Sequence, residues 1–547
     1  MKFLYRILIA SALVTPCFVC TSCEWFLEED VESSIPQNTY FRTEEEAVKF
    51  LYGAYASVRS TVFGPDFFLV TDCMTDDMEY RVSTNYTYKA ISALQHNKQL
   101  NTFYTVWNKL YKVVNDCNIL IDRTNLLRSD EKVTYNSGNL IEAEARFIRA
   151  WAYLNLVQLW GDVPLQTLPT YNIKEDNLVP ERAPAASVYA QIFSDLNFAY
   201  ENLTDKPGSV IIRTDITYPL TIGKGAVRVL LARAYLIHKQ YSDVVEYLQP
   251  MIDNSGDGAD GAGKLYGLMA SHEDVFDQRK VTENIEERKR EILWTMEASK
   301  DNAIYNSWHA QIATNQKRNY NGTSYTDEEL PCPTTSATGA FAPTEDLILT
   351  YDAQKDKRYQ WQYKMYSQAP YSYFLPMKGY DMGATVNNQA GCNQILIRFA
   401  DALLMYAEAK NELDDPSPAV EALNRVRVRA GLDPVDLADL SDVKSELRDL
   451  IMMERRHEFA HECYRIFDLR RTGTYISEME RFNRKFSELK DKGVFKVFVP
   501  QYAYRGDFTD VYVWGSSNKY PQSYHVLHPI PYLETVANKN LTQNPGY

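Results

Sequence analysis

Apolar residues recur at helical spacing in two blocks of this chain, and between the blocks that periodicity dissolves. In the first block, Ala47, Phe50, Leu51, Ala54, Tyr55 and Val58 line one face of a helix from about Glu44 to Arg59. Thr43 followed by Glu46 reads as a capping box at its start. Helical spacing returns over about 102–122. It is strongest at Ile141, Ala145, Ile148, Ala152, Leu156 and Leu159, where Gly161 and then Pro164 supply the stop. Further helices are predicted at about 185–203, 223–239 and 241–253, and a second block at about 398–413, 417–430 and 442–461.

Helices of this length joined by short turns predict stacked antiparallel hairpins of a tetratricopeptide kind, although the consensus repeat of roughly 34 residues is not evident. Between the blocks, over 254–395, glycine, proline and tyrosine dominate, with strand-like runs such as Glu291 to Met296. A smaller polar and aromatic loop region spans Gly64 to His96. Loops this long are functional or disordered, and their aromatic richness argues against disorder. The predicted class is mainly α: a tetratricopeptide-like helical scaffold over 38–253 and 396–547, with an irregular, loop-rich, ligand-binding region over 254–395, in one domain.

The start of the chain has its own pattern. Lys2 and Arg6 precede an apolar run from Ile7 to Val19, and Thr21 and Ser22 lead into Cys23. A charged start, a short apolar middle and a small-residue cleavage site describe an export signal, here residues 1–22. The run is too short for a transmembrane helix. A cysteine directly after the small pair looks like a bacterial lipoprotein processing site, with Cys23 lipidated, although Cys20 stands where Leu is usual. Secretion without lipid is the alternative. Several acyl chains on one cysteine anchor stably, whereas one chain binds reversibly. Residues 23–37 would form the tether, and Glu24, Glu28, Glu29 and Asp30 make its start acidic.

Composition narrows the function. A net charge of −14 argues against nucleic acid as a partner. The 39 tyrosines exceed what a core requires and suggest contact surfaces. Five cysteines follow Cys23 in no CxxC pair, at 73, 117, 332, 392 and 463, which excludes a dense disulfide scaffold or a zinc ribbon but leaves one or two disulfides open. Asp253 to Gly258 resembles the start of a calcium loop, but Lys264 stands where the twelfth position needs a bidentate Glu, so the segment reads as a Gly-rich linker. No phosphate-cradling glycine loop and no G-x-S-x-G element occurs, and no cofactor or metal site is predicted.

Several motifs together carry a resemblance. Arg398 to Glu412 (RFADALLMYAEAKNE), Leu423 to Leu432 (LNRVRVRAGL) and Glu454 to Arg470 (ERRHEFAHECYRIFDLR) resemble successive signatures of the SusD/RagB family. His528 to Pro531, the terminal Gln543 to Tyr547, Glu144 to Ala150, Gly161 to Pro164 and the capped Thr43 helix also agree. Cys463 stands where Gly is common, and His528 where Trp is common. The resemblance implies a lipid-anchored outer-membrane protein of Bacteroidetes that faces the cell exterior. Its partners would be an oligosaccharide or polysaccharide and a SusC-like TonB-dependent transporter that receives it. The acidic stretch after Cys23 likewise resembles the surface-export signal of Bacteroidetes lipoproteins, an ordinary solvated tether being the alternative. Capture of peptides, as in some family members, is the nearest rival function.

Within the third motif, His457 to His461 spells H-E-x-x-H, which on a helix can bind zinc. The metzincin continuation fails at Tyr464 and no His stands at 467, so the match reads as coincidence inside a charged packing motif. A zinc hydrolase is the alternative of another class.

Sugars require flat aromatics for their C–H faces and polar side chains for their hydroxyls. Two segments offer that mixture, Asp72 to His96 and Ala303 to Tyr325. The candidate glycan-binding residues are Asp77, Tyr86, Tyr88, Trp308, Tyr320 and Tyr325, with packing of the loops onto the helices as the competing role for each.

Overall fold

The computed structural model describes residues 41–547 apart from 83, 172–178, 206–221, 278–279, 281–282, 301, 313–338, 369–370, 382–389, 493, 500–506 and 513–517. The first block folds into α1 (Glu44–Val62), two short helices α2 (Pro65–Val70) and α3 (Tyr86–Ser92), and then α4 (Asn101–Ser129), α5 (Tyr135–Trp160), α6 (Ala185–Asn202), α7 (Lys224–Ile237) and α8 (Tyr241–Asp253). Helix α4 packs on α1 and α5, α5 on α6, α6 on α7, and α7 on α8. The stack is the mainly helical scaffold expected. Helix α4 outruns the expected end at 122 because Thr124 and Leu127 continue its buried face.

The middle region holds short elements, and two of its strands, Phe341–Pro343 and Gln394–Arg398, pair across long sequence separations. Strand β1 (Met78–Tyr80) lies upstream, and β2 (Ile292–Met296), β3 (Phe341–Pro343), β4 (Tyr363–Gln368), β5 (Tyr371–Pro376) and β6 (Gln394–Arg398) follow. Between them run α9 (His272–Phe276), α10 (Ile285–Glu291), α11 (Ser307–Ile312), α12 (Glu345–Ile348) and α13 (Lys357–Gln362). The second block is α14 (Phe399–Glu412), α15 (Pro416–Arg429), α16 (Val443–Glu458), α17 (Arg465–Arg471) and α18 (Tyr475–Lys492), closed by β7 (Val494–Val499), β8 (Asp507–Tyr512) and α19 (Tyr532–Ala537). The strands form antiparallel two-stranded ribbons, β1 with β3, β2 with β6, β4 with β5 and β7 with β8. Helix α14 packs on α8, which joins the two blocks across the middle region. Helices α17 and α18 go beyond the sequence expectation. In α18, Tyr475, Met479, Phe482 and Phe486 form a buried stripe at helical spacing.

Local signals account for several boundaries. Thr43 Oγ1 accepts the amide N–H of Glu46 at 3.3 Å, while the Glu46 carboxylate takes the N–H of Arg42, one residue earlier than a full capping box requires. Gly161 ends α5 at φ +75°, a left-handed turn that suits glycine. The carboxy-terminal motifs then clasp that helix end. Trp160 Nε1 donates to the Pro529 carbonyl at 2.9 Å, and Asn544 Nδ2 donates to the carbonyls of Trp160 at 2.9 Å and His528 at 2.7 Å. Cys73, Cys117, Cys392 and Cys463 are free thiols. The Gly-rich segment after α8 spends its acid on an arginine: both Asp257 oxygens accept from Arg425, at 2.6 and 2.8 Å.

The last turn of α16 carries four ionic anchors, Glu454, Arg455, Arg456 and Glu458, into the core. Glu454 pairs with Arg358 at 2.6 Å. Arg455 pairs with Asp401 and Asp468, both at 2.9 Å. Arg456 reaches Asp77 at 2.6 Å, Asp346 at 2.8 Å and Asp76 at 2.9 Å. Glu458 accepts from Arg398 at 2.8 Å, from Arg358 at 3.1 Å and from Arg429. Burial opposes ionisation of Glu458, but these arginines overcome it and hold its carboxyl well below the usual range. A paired buried charge is tolerated, whereas removing one partner leaves the others uncompensated. Glu458→Gln is therefore expected to cost about 3–5 kcal/mol of folding stability, read from the denaturant midpoint.

Asp72 behaves in the opposite way. Its Oδ2 accepts the N–H of Cys463 at 3.0 Å, its Oδ1 has no partner, and burial, aided by Asp77 and Glu462, pushes its carboxyl up to about 8. Between roughly pH 4 and that value the folded chain holds a proton that the unfolded chain has released, so stability falls as pH rises through this window. Asp72→Asn keeps the acceptor and removes the titration. The expected result is a shallower loss of stability between pH 5 and pH 8 than in the unmodified protein, and equal slopes would refute it.

Candidate functional site

The two segments singled out for sugar binding converge in space. Strand β1, in the first, pairs with β3, which follows the second: Met78 lies opposite Pro343 and Tyr80 opposite Phe341. The Arg81 N–H extends the ribbon to the Ala340 carbonyl at 2.9 Å, and Ala340 N–H donates back to the Gln311 carbonyl at 2.9 Å. One rim therefore carries α3 on one side and Gln311 with Ala340 on the other.

Buried polar groups set this rim on the scaffold. Lys519, fully enclosed, donates to the carbonyls of Cys73 at 2.8 Å, Met78 at 3.1 Å and Ser92 at 2.6 Å, so one ammonium ties both ends of the 73–92 segment. Burial lowers this lysine to about 8. Ser92 Oγ accepts the Tyr80 N–H at 3.0 Å. Beneath the segment, Asp76 accepts two bonds from Arg465 at 2.9 Å, and Asp346 accepts from Arg481 at 2.8 Å.

A continuous run of rings links the core to the surface. Trp308 stacks on Phe68 with centroids 4.1 Å apart, Phe68 meets Phe341 edge-on at 5.3 Å, Phe341 meets Tyr80 at 5.2 Å, and Tyr80 meets Tyr88 at 5.1 Å. Asn85 caps α3 by accepting the Tyr88 N–H at 3.1 Å, and the Tyr88 hydroxyl donates to Asp66 at 3.2 Å. Two residues apart on a helix, Tyr86 and Tyr88 face nearly opposite directions. Tyr88 turns inward and is half-buried, while Tyr86 is 81% exposed.

The expected residues thus separate into three groups. Tyr86 is presented to solvent, and Tyr88 is anchored beside it by its hydroxyl. Trp308 and Asp77 correct the expectation, for both are only 1% exposed. Trp308 is core because its ring is stacked on Phe68 and its indole N–H is spent on Gln394 Oε1 at 3.1 Å. Asp77 is spent on Arg456. Tyr320, Tyr325 and the lipidation candidate Cys23 lie outside the described residues.

The H-E-x-x-H segment does not build a metal centre. Helix α16 ends at Glu458, so His461, at φ +67°, lies beyond it instead of one turn further along the same face. His457 meets Thr350 Oγ1 at 2.9 Å and stacks on Tyr351, and His461 meets the Tyr363 hydroxyl at 3.0 Å. Glu458, the would-be base, is held by three arginines. Among the described residues, no group of three or more His, Cys, Asp or Glu side chains is placed to hold a metal.

A second concavity escaped the sequence reading. A cleft of about 430 Å³ opens between the start of α9, α13 and the end of α15, lined by His272, Trp361, Lys357, Lys364 and Arg429 among others. The alternation of basic and aromatic residues from Lys357 to Lys364 was its only local signal.

These environments separate two rings that sequence alone ranks together. Trp308→Ala is expected to lose about 3–5 kcal/mol of stability, as for a buried aromatic in a close-packed core. Tyr86→Ala is expected to stay within about 0.5 kcal/mol of the unmodified chain. Parallel thermal or urea melts read both.

Comparison with known proteins adds the family. Residues 229–547 match the model of the SusD family, and residues 25–236 match a family described as starch-binding associating with outer membrane. SusD-like protein P25 of Formosa agariphila is 24% identical, with 97% of each chain covered. A SusD-like protein of Bacteroides ovatus is 23% identical over 71% of this chain and 69% of that one. Among solved structures, a SusD homolog from Bacteroides thetaiotaomicron superposes with a TM-score of 0.70 at 20% identity, covering 94% of this chain and all of that one. A laminarin-binding SusD-like protein gives 0.67 at 21% identity, covering 92% of this chain and 100% of the other. The model that takes in residues 229–547 spans more than half of the sequence, and the protein belongs to the SusD family.

Proposed function

We propose that the protein is a glycan receptor of the outer membrane, lipid-anchored through Cys23, that captures oligo- or polysaccharide at the cell exterior and delivers it to a SusC-type TonB-dependent transporter. The observation that carries this reading is the pair of family matches, which together run from residue 25 to the end of the chain. The laminarin-binding neighbour supports a glycan as ligand, and the outer-membrane description of the second family supports the location. The signal-like start and the small residues before Cys23 support the anchor. No helix among the described residues is long and apolar enough to cross a membrane.

In this reading the rim around α3 is the capture surface. Tyr86 offers an exposed ring for a sugar face, on a short helix held at its start by the Asn85 cap and by the Tyr88 bond to Asp66. Capture needs no chemistry, and the H-E-x-x-H residues serve packing.

Titration calorimetry of the detergent-solubilised full-length protein against plant, mucin and microbial polysaccharides, with an oligopeptide pool as the rival, tests this function. Saturable binding to a glycan is expected, with at least a tenfold loss in Tyr86→Ala, about 1.4 kcal/mol. Binding to peptides alone would replace the assignment.

A further inference from the structure

The cleft between α9, α13 and the end of α15 contains polar groups that the protein leaves unsatisfied. His272 forms part of its lining and is only 4% exposed, yet neither ring nitrogen has a hydrogen-bond partner. Glu458 stands 3.7 Å from its Nε2, beyond hydrogen-bond reach. Burial drives the imidazole well below its ordinary range and, despite Glu458, the cations Lys378, Arg429 and Arg398 keep it there, so the ring is neutral and offers one donor and one acceptor. Arg429 gives its two terminal nitrogens to Glu291 and Glu458, but its Nε–H has no partner. A buried polar group without a partner costs about 1–3 kcal/mol, so orphaned donors beside a roomy cavity point to something that occupies it.

The walls indicate what that occupant is. Trp361 is half-buried, near-parallel to Phe276 at 6.2 Å and edge-on to His272 at 6.1 Å, and it lines the cleft with its indole. A flat ring beside a hydroxyl-matching imidazole suits a pyranose. The lining adds Lys357 and Lys364 against one acid, Glu273, while the charge of Arg429 is already met by Glu291 and Glu458, in a chain whose net charge is −14. A locally basic cleft on an acidic protein selects an anion.

We propose that this cleft is a subsite for a sugar that carries a carboxylate. The sugar ring lies against Trp361, its hydroxyls meet His272, and the carboxylate takes the Arg429 Nε–H and the exposed ammonium of Lys357. The inference rests on the reading of the protein as a glycan receptor and deepens it: one part of the captured glycan is acidic.

The test is calorimetry of the full-length protein with short oligogalacturonates and oligoglucuronates, beside the neutral galactose and glucose oligosaccharides of equal length. At least one oligouronate is expected to bind tenfold or more tightly than its neutral counterpart. Trp361→Ala and His272→Phe are each expected to weaken that binding at least tenfold. Lys357→Glu, at an exposed position and therefore safe for folding, is expected to weaken oligouronate binding and spare the neutral sugar. Equal affinity for charged and neutral oligosaccharides, or no effect of all three variants, would overturn the subsite. If neutral glycans bind and Tyr86→Ala abolishes this while oligouronates do not bind, the subsite fails and the receptor reading stands. If no glycan of either panel binds, both fall.

Discussion

The last turn of α16 is the constraint on which the rest of the structure depends. Glu454, Arg455, Arg456 and Glu458 are all buried, and successive side chains on a helix point in different directions. One turn therefore reaches separate groups of partners: Arg358 with Asp356, Asp401 with Asp468, Asp76 with Asp77 and Asp346, and Arg398 with Arg429 and Glu291. Desolvating so many charges is tolerable only if every one meets its counterpart, so the partners must arrive in a single arrangement. They come from the first block, the middle region and the second block alike. The network fixes where the irregular region sits on the helical scaffold, which weak apolar contacts between short elements would not do.

The proposed capture surface inherits its order from that centre. Arg456 holds Asp76 and Asp77, the segment runs from them into β1, and β1 pairs with β3. Rings from Trp308 to Tyr88 pack in sequence along the same path. Lys519 closes the segment by tying Cys73, Met78 and Ser92 to one ammonium. The exposed Tyr86 stands beside the outer end of this run, on a helix of only seven residues. Such a surface can be preformed for ligand without a helix long enough to be stable by itself.

Glu458 also shows how one motif can carry two incompatible readings. The spacing of His457, Glu458 and His461 satisfies a zinc helix only if the helix continues through all three. Here it stops at Glu458, and the left-handed turns at His461 and Cys463 send the chain back so that the Cys463 N–H meets Asp72 and Arg465 meets Asp76. Cys463 occupies one of those left-handed positions, a conformation glycine adopts more readily than any other residue.

By itself, the sequence determined the helices, because amphipathic periodicity and capping are local properties. The stripes in α1, α5 and α14 and the stop at Gly161 were all legible, and so was the family, since its signatures are runs of neighbouring residues. The stripe of α18 was also present but lay beyond the segments where periodicity was recognised. Tertiary structure alone decided which aromatic and acidic residues face solvent. Trp308 and Tyr86 both sit in polar, ring-rich segments; only the approach of Phe68 and Gln394, far away in sequence, makes the first a core residue. The cleft at Trp361 was hidden for the same reason, because His272, Trp361 and Arg429 come from three separate elements. Periodicity reports which side of a helix seeks burial, whereas exposure of a loop residue depends on partners that only the folded chain brings to it.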